Sequence, residues 1–439
     1  MPPLYLEPTS MKRVIPPVKG TRDFYPEQMA VRAWLYGAAR AVSESFGYQE
    51  YEAPILESLD LYAARSGDEL VREQAYVFSD RGGDEVVLRP ELTASLARMV
   101  AQRQAELIFP VRWWSFGPFW RYERPQRGRT REFFQWNVDM LGAESPESDA
   151  ENVAVLAEFL QRVGLKPNQV LILVNDRRLM ESIFGELGFE AKAHAAISSW
   201  LDRRARMSDE TWRSEGQELG VAASKMEGLE SRLQDDGLWK RSPELKRFFS
   251  AIEALGLKDY VRFDASIVRG LTYYTGTVFE AWEVGGEIRR ALLGGGRYDN
   301  LLQDVGGARL PAVGFAMGDV VMTLLLEKYG LLPADLTVFP ASILVTLFDA
   351  ESLPAAYHLA ADLRRAGLRV AVFTEPAKLS RQFRYADKIH ARLALVLGPE
   401  ELASTQVTVK DLRDGSQRLV SRAAIIDTCR SLLEQPVSR

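Results

Sequence analysis

Apolar side chains recur at helical spacing in two stretches near the start of the chain. One run spans Pro26 to Phe46 and ends at a glycine, and a second spans Glu91 to Leu107. A dense aromatic segment, Arg112–Tyr122, follows, and Glu132–Leu141 alternates enough to return beside it. These patterns predict helices packed on an antiparallel sheet, with the arginine-rich loop Arg124–Arg131 at the tip of a hairpin.

The chain changes character between residues 176 and 260. This stretch is charged and poor in strand formers, which predicts an inserted helical module. Strand-like sequence punctuated by glycine resumes over residues 261–298, and Pro311–Tyr329 has the pattern of a strand followed by an apolar helix. We therefore expect a second part of the core to follow the insertion.

The last hundred residues alternate short apolar strands with helices. That alternation predicts crossover connections and a mostly parallel sheet in a separate α/β domain. The expected organisation is an N-terminal extension (1–11), the first part of the core (12–175), the helical insertion (176–260), the second part of the core (261–330) and the C-terminal domain (331–439).

Composition narrows the class of protein. The 439 residues are 46% hydrophobic and 26% charged, as in globular proteins of several domains. With 55 basic and 60 acidic residues the net charge is −5, which disfavours a general nucleic-acid coat but allows a local basic patch. A single cysteine, Cys429, excludes a disulfide framework, and no run of about 18 apolar residues could span a membrane. The three histidines lie far apart, without metal-ligand spacing. A cytosolic location is the expectation.

Five arginines occupy the segment from Arg121 to Arg131. Guanidinium groups bind phosphate oxygens bidentately, so this loop is a candidate anion site. A solvated hairpin tip is the simpler interpretation of a charge run. Arg121 favours the anion site, because it directly follows an apolar aromatic strand, and a charge leaving a mostly buried sheet is costly unless a ligand or partner compensates it.

A second candidate cluster is the segment LRPELTA, Leu88 to Ala94. The proline keeps the preceding residue extended, and Glu91 then opens a helix. Its carboxylate could simply cap that helix. Alternatively, the Glu91 carboxylate binds an ammonium group, and Thr93 contributes a hydroxyl to the same site.

Two further segments carry groups that could bind a ligand. In the first, Arg269 precedes a glycine, and Tyr273 and Tyr274 place phenols on opposite faces of an extended chain. In the second, three consecutive glycines, Gly294–Gly296, permit close approach of the backbone to a planar or phosphate ligand. Taken alone, the first is more often packing than catalysis, and the glycine run matches neither the P-loop nor the dinucleotide fingerprint.

Together these clusters resemble class II aminoacyl-tRNA synthetases, and among them the histidyl-tRNA synthetase family. Lys19–Gln28 and Tyr51–Ser58 resemble that family's opening and its first, dimer-forming motif, and Arg121–Gln135 resembles its second motif. Two histidine-specific motifs have counterparts at Val268–Glu280 and Gly294–Asp299. Segments resembling the family's anticodon-binding domain are Lys378–Lys388 and Val407–Leu412. The resemblance covers most of the chain except residues 1–11 and the helical insertion.

The resemblance implies an α+β catalytic core with an antiparallel six-stranded sheet, an inserted helical domain and a C-terminal α/β anticodon-binding domain. It implies a histidine–tRNA ligase that first joins L-histidine to ATP as histidyl-adenylate and then transfers the histidine to the 3′ end of tRNA(His). Mg²⁺ would bridge the ATP phosphates. A cytoplasmic homodimer is expected, and basic residues that resemble the tRNA-binding surface are Lys378, Arg381, Arg384 and Lys388.

The resemblance also assigns residues by position. The catalytic pair would be Arg121 at the α-phosphate and Arg269 offsetting the charge that develops there. The histidine-binding set would be Glu91, Thr93, Arg121, Gln135, Asp139, Arg269, Tyr273 and Tyr274. The ATP-binding set would be Arg121, Glu123, Arg127, Arg129, Gly296 and Arg297.

The chain departs from the family pattern at three places. Thr272 stands where the family usually has Asp, and Phe134 replaces a frequent His or Tyr. In the third class II motif, Gly314–Val321, the usual Glu-Arg pair is replaced by Val320 and Val321. A valine cannot clamp the γ-phosphate of ATP. Another arginine, such as Arg127 or Arg129, could substitute, or ATP could bind more weakly.

Two alternatives to a histidine ligase stay open at this point. A catalytically silent, histidine-sensing paralogue, such as the regulatory subunit of ATP phosphoribosyltransferase, is favoured by the missing third-motif arginine. The intact second motif, Arg269 and the tRNA-type C-terminal domain oppose it. Another class II ligase, for proline or threonine, is opposed by the two histidine-specific motifs.

Overall fold

The computed structural model describes residues 14–63, 74–204, 207–268, 273–288, 290–334, 336 and 341–435. The chain divides into a first unit, Met1–Ala334, and a second unit, Asp335–Arg439. Each unit has its own core and its own sheets, and each is described by itself.

The first unit contains strands and helices in an interleaved order. Its strands are β1 (Gln49–Glu50), β2 (Leu56–Ser58), β3 (Tyr76–Ser79), β4 (Glu85–Leu88), β5 (Val111–Trp120), β6 (Glu132–Leu141), β7 (Val170–Asp176), β8 (Val261–Phe263), β9 (Thr277–Glu283), β10 (Leu293–Arg297) and β11 (Ala312–Gly318). Its helices are α1 (Pro26–Ser45), α2 (Leu59–Ala63), α3 (Thr93–Arg103), α4 (Pro146–Arg162), α5 (Arg177–Glu186), α6 (His194–Asp202), α7 (Asp209–Glu218), α8 (Ala223–Leu233), α9 (Pro243–Ala254) and α10 (Asp319–Lys328).

Within the described residues the larger sheet has eight strands in the order β1-β5-β6-β11-β10-β9-β7-β8. The six central strands pair antiparallel throughout, which confirms the expected six-stranded core. The structure adds one short strand at each edge, β1 beside β5 and β8 beside β7, both paired in parallel. These edge strands have two and three residues, too short for a sequence pattern to reveal.

The two faces of this sheet have opposite character, because side chains alternate along each strand. One face, here called the helix face, carries large buried side chains such as Trp114, Trp136 and Phe315, which pack with α1 and α4 into one core. The other, here called the small-residue face, is built by the alternate positions. Its small or polar members on β5, β6, β10 and β11 are Ser115, Gly117, Gln135, Asn137, Asp139, Gly294, Gly296, Gly314 and Ala316, and its larger members on β5 and β6 include Trp113, Phe119 and Phe133. Small side chains leave room above this face.

The charged middle segment is helical, with α5 to α9 between β7 and β8. Its apolar residues belong to the same core as the helix face of the sheet. Trp200 and Trp212 stack with ring centroids 4.1 Å apart, which ties α6 to α7.

A three-stranded sheet, in the order β2-β4-β3, lies beside α2 and α3. Helix α3 spans Thr93–Arg103 and is shorter than the expected Glu91–Leu107. It begins two residues later and ends four residues earlier. The late start has a local cause. The Glu91 carboxylate accepts hydrogen bonds from the backbone N–H groups of Thr93, at 2.7 Å, and Ala94, at 3.1 Å, and therefore caps the helix from outside it.

The second unit has a five-stranded sheet in the order β13-β12-β14-β15-β16. Its elements are β12 (Ile343–Val345), α11 (Leu353–Arg365), β13 (Val370–Val372), α12 (Leu379–Lys388), β14 (Leu393–Val396), α13 (Pro399–Ser404), β15 (Gln406–Asp411), β16 (Gln417–Ser421) and α14 (Ile425–Glu434). The expectation of a mostly parallel sheet was wrong. Strand β12 pairs in parallel with β13 and β14, but β15 pairs antiparallel with both neighbours. The links into β15 and β16 are too short for the crossover of a dozen or more residues that a parallel pair needs.

No helix in the described part of the chain is long and apolar enough to cross a membrane.

Candidate active site

Two glycines on the small-residue face have packing reasons for lacking a side chain. A Cβ on Gly314 would collide with the carboxylate of Asp139 on the neighbouring strand. A Cβ on Gly296 would lie 2.8 Å from both the backbone oxygen of Thr277 and the ring of Tyr274. The glycine run is part of strand β10, where Gly296 permits the close approach of Tyr274. The assignment of Gly296 to ATP stays a prediction.

Arg121 directly follows the last residue of β5, and its side chain lies against the LRPELTA segment. Its Nε donates to the backbone oxygen of Pro90 at 3.0 Å, and its guanidinium lies 5.2 Å from the centre of the Phe133 ring. Burial lowers the pKa of Arg121, while the nearby Glu123, Glu91 and Tyr273 raise it. Since an arginine stays charged in proteins, this is a half-buried cation between two carboxylates.

The sequence left two roles open for Glu91, and the structure shows the first of them, while the ammonium contact stays a prediction. Its carboxylate caps α3, as the simpler interpretation held. It also lies within electrostatic reach of Arg121. The structure thus brings the second motif and the LRPELTA segment to one place.

Asp139 lies on the small-residue face among aromatic rings. The Tyr298 hydroxyl, which is in the segment after β10, donates to its carboxylate. The rings of Tyr273 and Tyr274 are 4.7 Å apart, and the Tyr273 ring is 6.4 Å from that of Tyr298. Sequence reasoning missed Tyr298, although period-two alternation from Gly296 would have placed it on the same face as Asp139.

The same alternation corrects the assignment of Arg297 to ATP. Arg297 points to the helix face, where its Nη2 lies 2.5 Å from Oδ1 of Asp149 on α4. Its remaining donors bond the backbone oxygens of Ala143 and Ser145 and the hydroxyl of Ser148. Only 2% of Arg297 is exposed, so the guanidinium holds the fold and does not reach a nucleotide on the opposite face.

Arg297 nevertheless helps to position the site from the helix face of the sheet. Its backbone oxygen accepts from the N–H of Thr275 at 2.8 Å, and its ion-pair partner Asp149 accepts from the Thr277 hydroxyl at 2.7 Å. These bonds fix the segment that follows Tyr273 and Tyr274. Arg297 is thus a positioning residue for the two tyrosines.

The arginine-rich loop folds back on the start of α10. Arg129 forms an ion pair with Glu123, and Arg127 is exposed. Gly128, between them, has φ +78°, a backbone conformation that favours glycine. A Cβ built there would lie 3.6 Å from Cγ2 of Val321, so the loop covers the position where the third motif lacks its arginine.

Phe134, a departure from the family pattern, is held by cationic and aromatic neighbours. The Arg32 guanidinium lies 4.3 Å from its ring centre, and the Phe24 ring meets it edge to face at 5.7 Å. Its backbone N–H donates to Asp319, which also pairs with Arg22 at 2.8 Å. The N-terminal segment, β6 and the start of α10 are therefore tied together.

One predicted site residue, Arg269, lies outside the described part of the chain, as does Thr272, where the chain departs from the family pattern. The second catalytic arginine therefore stays a prediction. Within the described residues no group of three or more His, Cys, Asp or Glu side chains could hold a metal ion.

An antiparallel sheet with an arginine at the end of β5 and carboxylates around it defines the catalytic core of a class II aminoacyl-tRNA synthetase. A family model described as histidyl-tRNA synthetase matches residues 20–319, and one described as anticodon binding domain matches residues 336–432. The chain belongs to the histidyl-tRNA synthetase family.

Relatives from distant lineages match over most of their length. The chain is 36% identical over 422 residues to a histidine–tRNA ligase of Opitutus terrae, covering 92% of this chain and 96% of that one. It is 36% identical over 429 residues to a chloroplastic/mitochondrial histidine–tRNA ligase of Arabidopsis thaliana, covering 94% and 87%.

Solved structures share the fold. The histidyl-tRNA synthetase of Nostoc sp. superposes with a TM-score of 0.79 at 24% identity, covering 95% of this chain and 99% of that one. The apo enzyme of S. aureus gives a TM-score of 0.72 at 25% identity, covering 95% and 100%.

Proposed function

We propose that this chain is a histidine–tRNA ligase, which activates histidine with ATP and transfers it to tRNA(His). The observation that carries the proposal is the convergence of Glu91, Arg121, Glu123 and Tyr273 beside the small-residue face, in a chain of this family. The catalytically silent paralogue is not favoured, because curated relatives across several lineages are ligases.

Histidine would bind along the small-residue face. Glu91 and Thr93 would receive the α-ammonium group, and Asp139 would accept from a ring N–H of the imidazole. A buried carboxylate discriminates against apolar rings, since such a ring would leave it without a donor. Gln135, Tyr273 and Tyr274 are proposed to complete this pocket.

ATP would bind beside Arg121, whose guanidinium is proposed to hold the α-phosphate while the histidine carboxylate attacks the phosphorus. Attack in line spreads charge over the phosphate oxygens, so the protein mainly orients the reactants and stabilises that charge. Glu123 is the proposed adenine contact, and Arg269 the proposed second cation. Neutralising the β- and γ-phosphates is the chemistry that Mg²⁺ would supply when bound, and the ion is proposed to enter with ATP.

We further propose that the loop between β5 and β6 replaces the third-motif arginine. Its support is the closeness of Gly128 to Val321: a Cβ built on Gly128 would lie 3.6 Å from Cγ2 of Val321, so the backbone between Arg127 and Arg129 lies beside the start of α10. Either guanidinium could then reach the γ-phosphate that Val321 cannot bind.

The proposed partners are tRNA(His) and a second copy of the chain. The second unit would bind the anticodon, and exposed Lys378, Arg381, Arg384 and Lys388 on and before α12 offer a local basic surface in an otherwise acidic protein. Apolar side chains at and beside the three-stranded sheet, such as Leu56 and Phe78, are 45% and 47% exposed in the single chain, which suits a dimer contact through the first motif. The domain boundaries 176–260 and 331–439 and a cytoplasmic location stay proposals.

The deciding experiment is histidine-dependent exchange of pyrophosphate into ATP, followed by charging of a tRNA pool. We expect both with L-histidine and neither with proline or threonine. A chain that binds histidine but shows no exchange at saturating histidine and Mg-ATP would be the silent paralogue.

A further inference from the structure

Tyr51 is an aromatic residue of the first motif that no role above uses. It follows the short edge strand β1, and its backbone N–H donates to the oxygen of Trp114 on β5 at 2.9 Å. Its ring lies 5.3 Å from the ring of Trp113. In the register of the sheet, Trp113 stands directly opposite Asp139, so Tyr51 extends from the small-residue face at the edge nearest the imidazole pocket.

The ring of Tyr51 packs into the aromatic cluster that encloses that pocket. The same cluster contains Trp113, Tyr273, Tyr274 and Tyr298. Tyr51 also packs against the cluster formed by Ala53, Leu92 and Phe119 on the side of α3. It therefore lies between the proposed imidazole end and the proposed ammonium end of the bound amino acid.

The Tyr51 hydroxyl is buried and has no hydrogen-bond partner among the described residues. A buried hydroxyl without a partner is costly, so such a group calls for an explanation. Its electrostatic neighbours are Asp139, Glu52 and Glu91, two of which are proposed histidine contacts. Burial, with the help of these carboxylates, raises the pKa of Tyr51 well above its usual value, so the phenol keeps its proton and can donate at neutral pH.

The chemistry of a neutral imidazole requires such a donor. One ring nitrogen carries a proton and donates, while the other only accepts. Asp139, as a carboxylate, can satisfy the N–H but not the bare nitrogen. A phenol beside it can satisfy the bare nitrogen.

On this geometry we propose that Tyr51 is a further histidine-binding residue, whose hydroxyl donates to the unprotonated imidazole nitrogen while Asp139 accepts from the protonated one. The inference rests on the proposed histidine activation and deepens it. It assigns part of the discrimination between histidine and other amino acids to the first motif.

The test compares Tyr51→Phe with Tyr48→Phe. Both variants lose one buried hydroxyl from the same segment, but Tyr48 packs in the core of the helix face, away from the aromatic cluster. In pyrophosphate exchange, Tyr51→Phe should raise the KM for histidine about tenfold, as expected for one hydrogen bond lost to a buried acceptor. The inhibition constant of L-histidinol, which keeps the imidazole and ammonium groups, should rise by the same factor, and the KM for ATP should stay within about twofold.

The outcomes separate the two proposals. An unchanged histidine KM in folded Tyr51→Phe, or an equal rise in the KM for ATP, overturns the role of Tyr51, as does the same histidine defect in Tyr48→Phe. Absence of exchange by the unmodified chain overturns the ligase instead, and calorimetric binding of histidine by the two variants then decides the Tyr51 contact. If Tyr51→Phe does not fold, Tyr51→Met, which fills the space with a flexible side chain, takes its place in the same comparison.

Discussion

The guanidinium of Arg297 and the carboxylate of Asp149 form a buried ion pair, 2.5 Å between Nη2 and Oδ1, which joins strand β10 to helix α4. Burial raises the pKa of Asp149, and the cation beside it opposes that shift. Because the Asp149 carboxylate also accepts from the Thr277 hydroxyl, the pair connects the core of the helix face to the segment that follows the pocket tyrosines.

Replacing Arg297 should therefore damage stability and histidine binding together. Arg297→Met leaves Asp149 buried without its partner, and breaking a buried pair in this way costs about 3–5 kcal/mol. We expect a clear fall in the melting temperature of the first unit, measured by calorimetry. Arg309→Met is the matched control, since the Arg309 side chain is 48% exposed and its ion pairs should contribute less than about 1 kcal/mol. Equal effects of the two substitutions would contradict the buried-anchor role.

Asp139 is the second target. Asp139→Ala removes the acceptor proposed for the imidazole N–H and leaves the Tyr298 hydroxyl without its carboxylate partner. We expect histidine affinity to fall at least about tenfold, since the lost bond involves a charged acceptor. Calorimetric titration with histidine measures this directly, and Tyr298→Phe should give a smaller loss because it keeps the carboxylate. Unchanged histidine binding by folded Asp139→Ala would remove Asp139 from the pocket.

Several of these relationships could be predicted from the sequence, and others could not. The hairpin of β5 and β6 and the position of Arg121 follow from an aromatic run that ends in arginines. The resemblance assigned Arg297 to ATP by its position in a motif alone. In strand β10 the neighbours Gly296 and Tyr298 share one face of the sheet and Arg297 takes the other. The position of Tyr51 could not be predicted from the sequence, for a different reason. Its place beside Asp139 depends on a two-residue edge strand, which leaves no periodicity in the chain.

Arg121 should be sensitive even to a conservative change. Arg121→Lys keeps the charge but loses the planar fork that binds a phosphate bidentately. We expect the rate of pyrophosphate exchange to fall about 100-fold or more, as for removal of one donor that stabilises a transition state. Arg124→Lys, in the same loop and exposed, is the control and should change the rate little. A rate for Arg121→Lys close to that of the control would refute the α-phosphate assignment.

Arg269 lies outside the described residues, and its role can still be measured. Arg269→Ala should abolish adenylate formation, because the charge that develops at the α-phosphate loses its second cation. Circular dichroism and the melting curve should match those of the unmodified chain. Near-normal exchange by this folded variant would show that Arg121 suffices.

The closeness of the Gly128 backbone to the Val321 side chain leads to a specific prediction about ATP. If a loop arginine supplies the cation that the third motif lacks, Arg127→Met or Arg129→Met should raise the KM for ATP about tenfold while leaving the KM for histidine nearly unchanged. Restoring the third-motif arginine with Val321→Arg should then make the same loop substitution milder, since two cations would share one phosphate. The measurement is a double-mutant cycle on the KM for ATP. If a loop substitution raises the KM for ATP by the same factor in the unmodified chain and in the Val321→Arg variant, the two effects are additive. That result would mean that the loop and α10 do not serve the same phosphate.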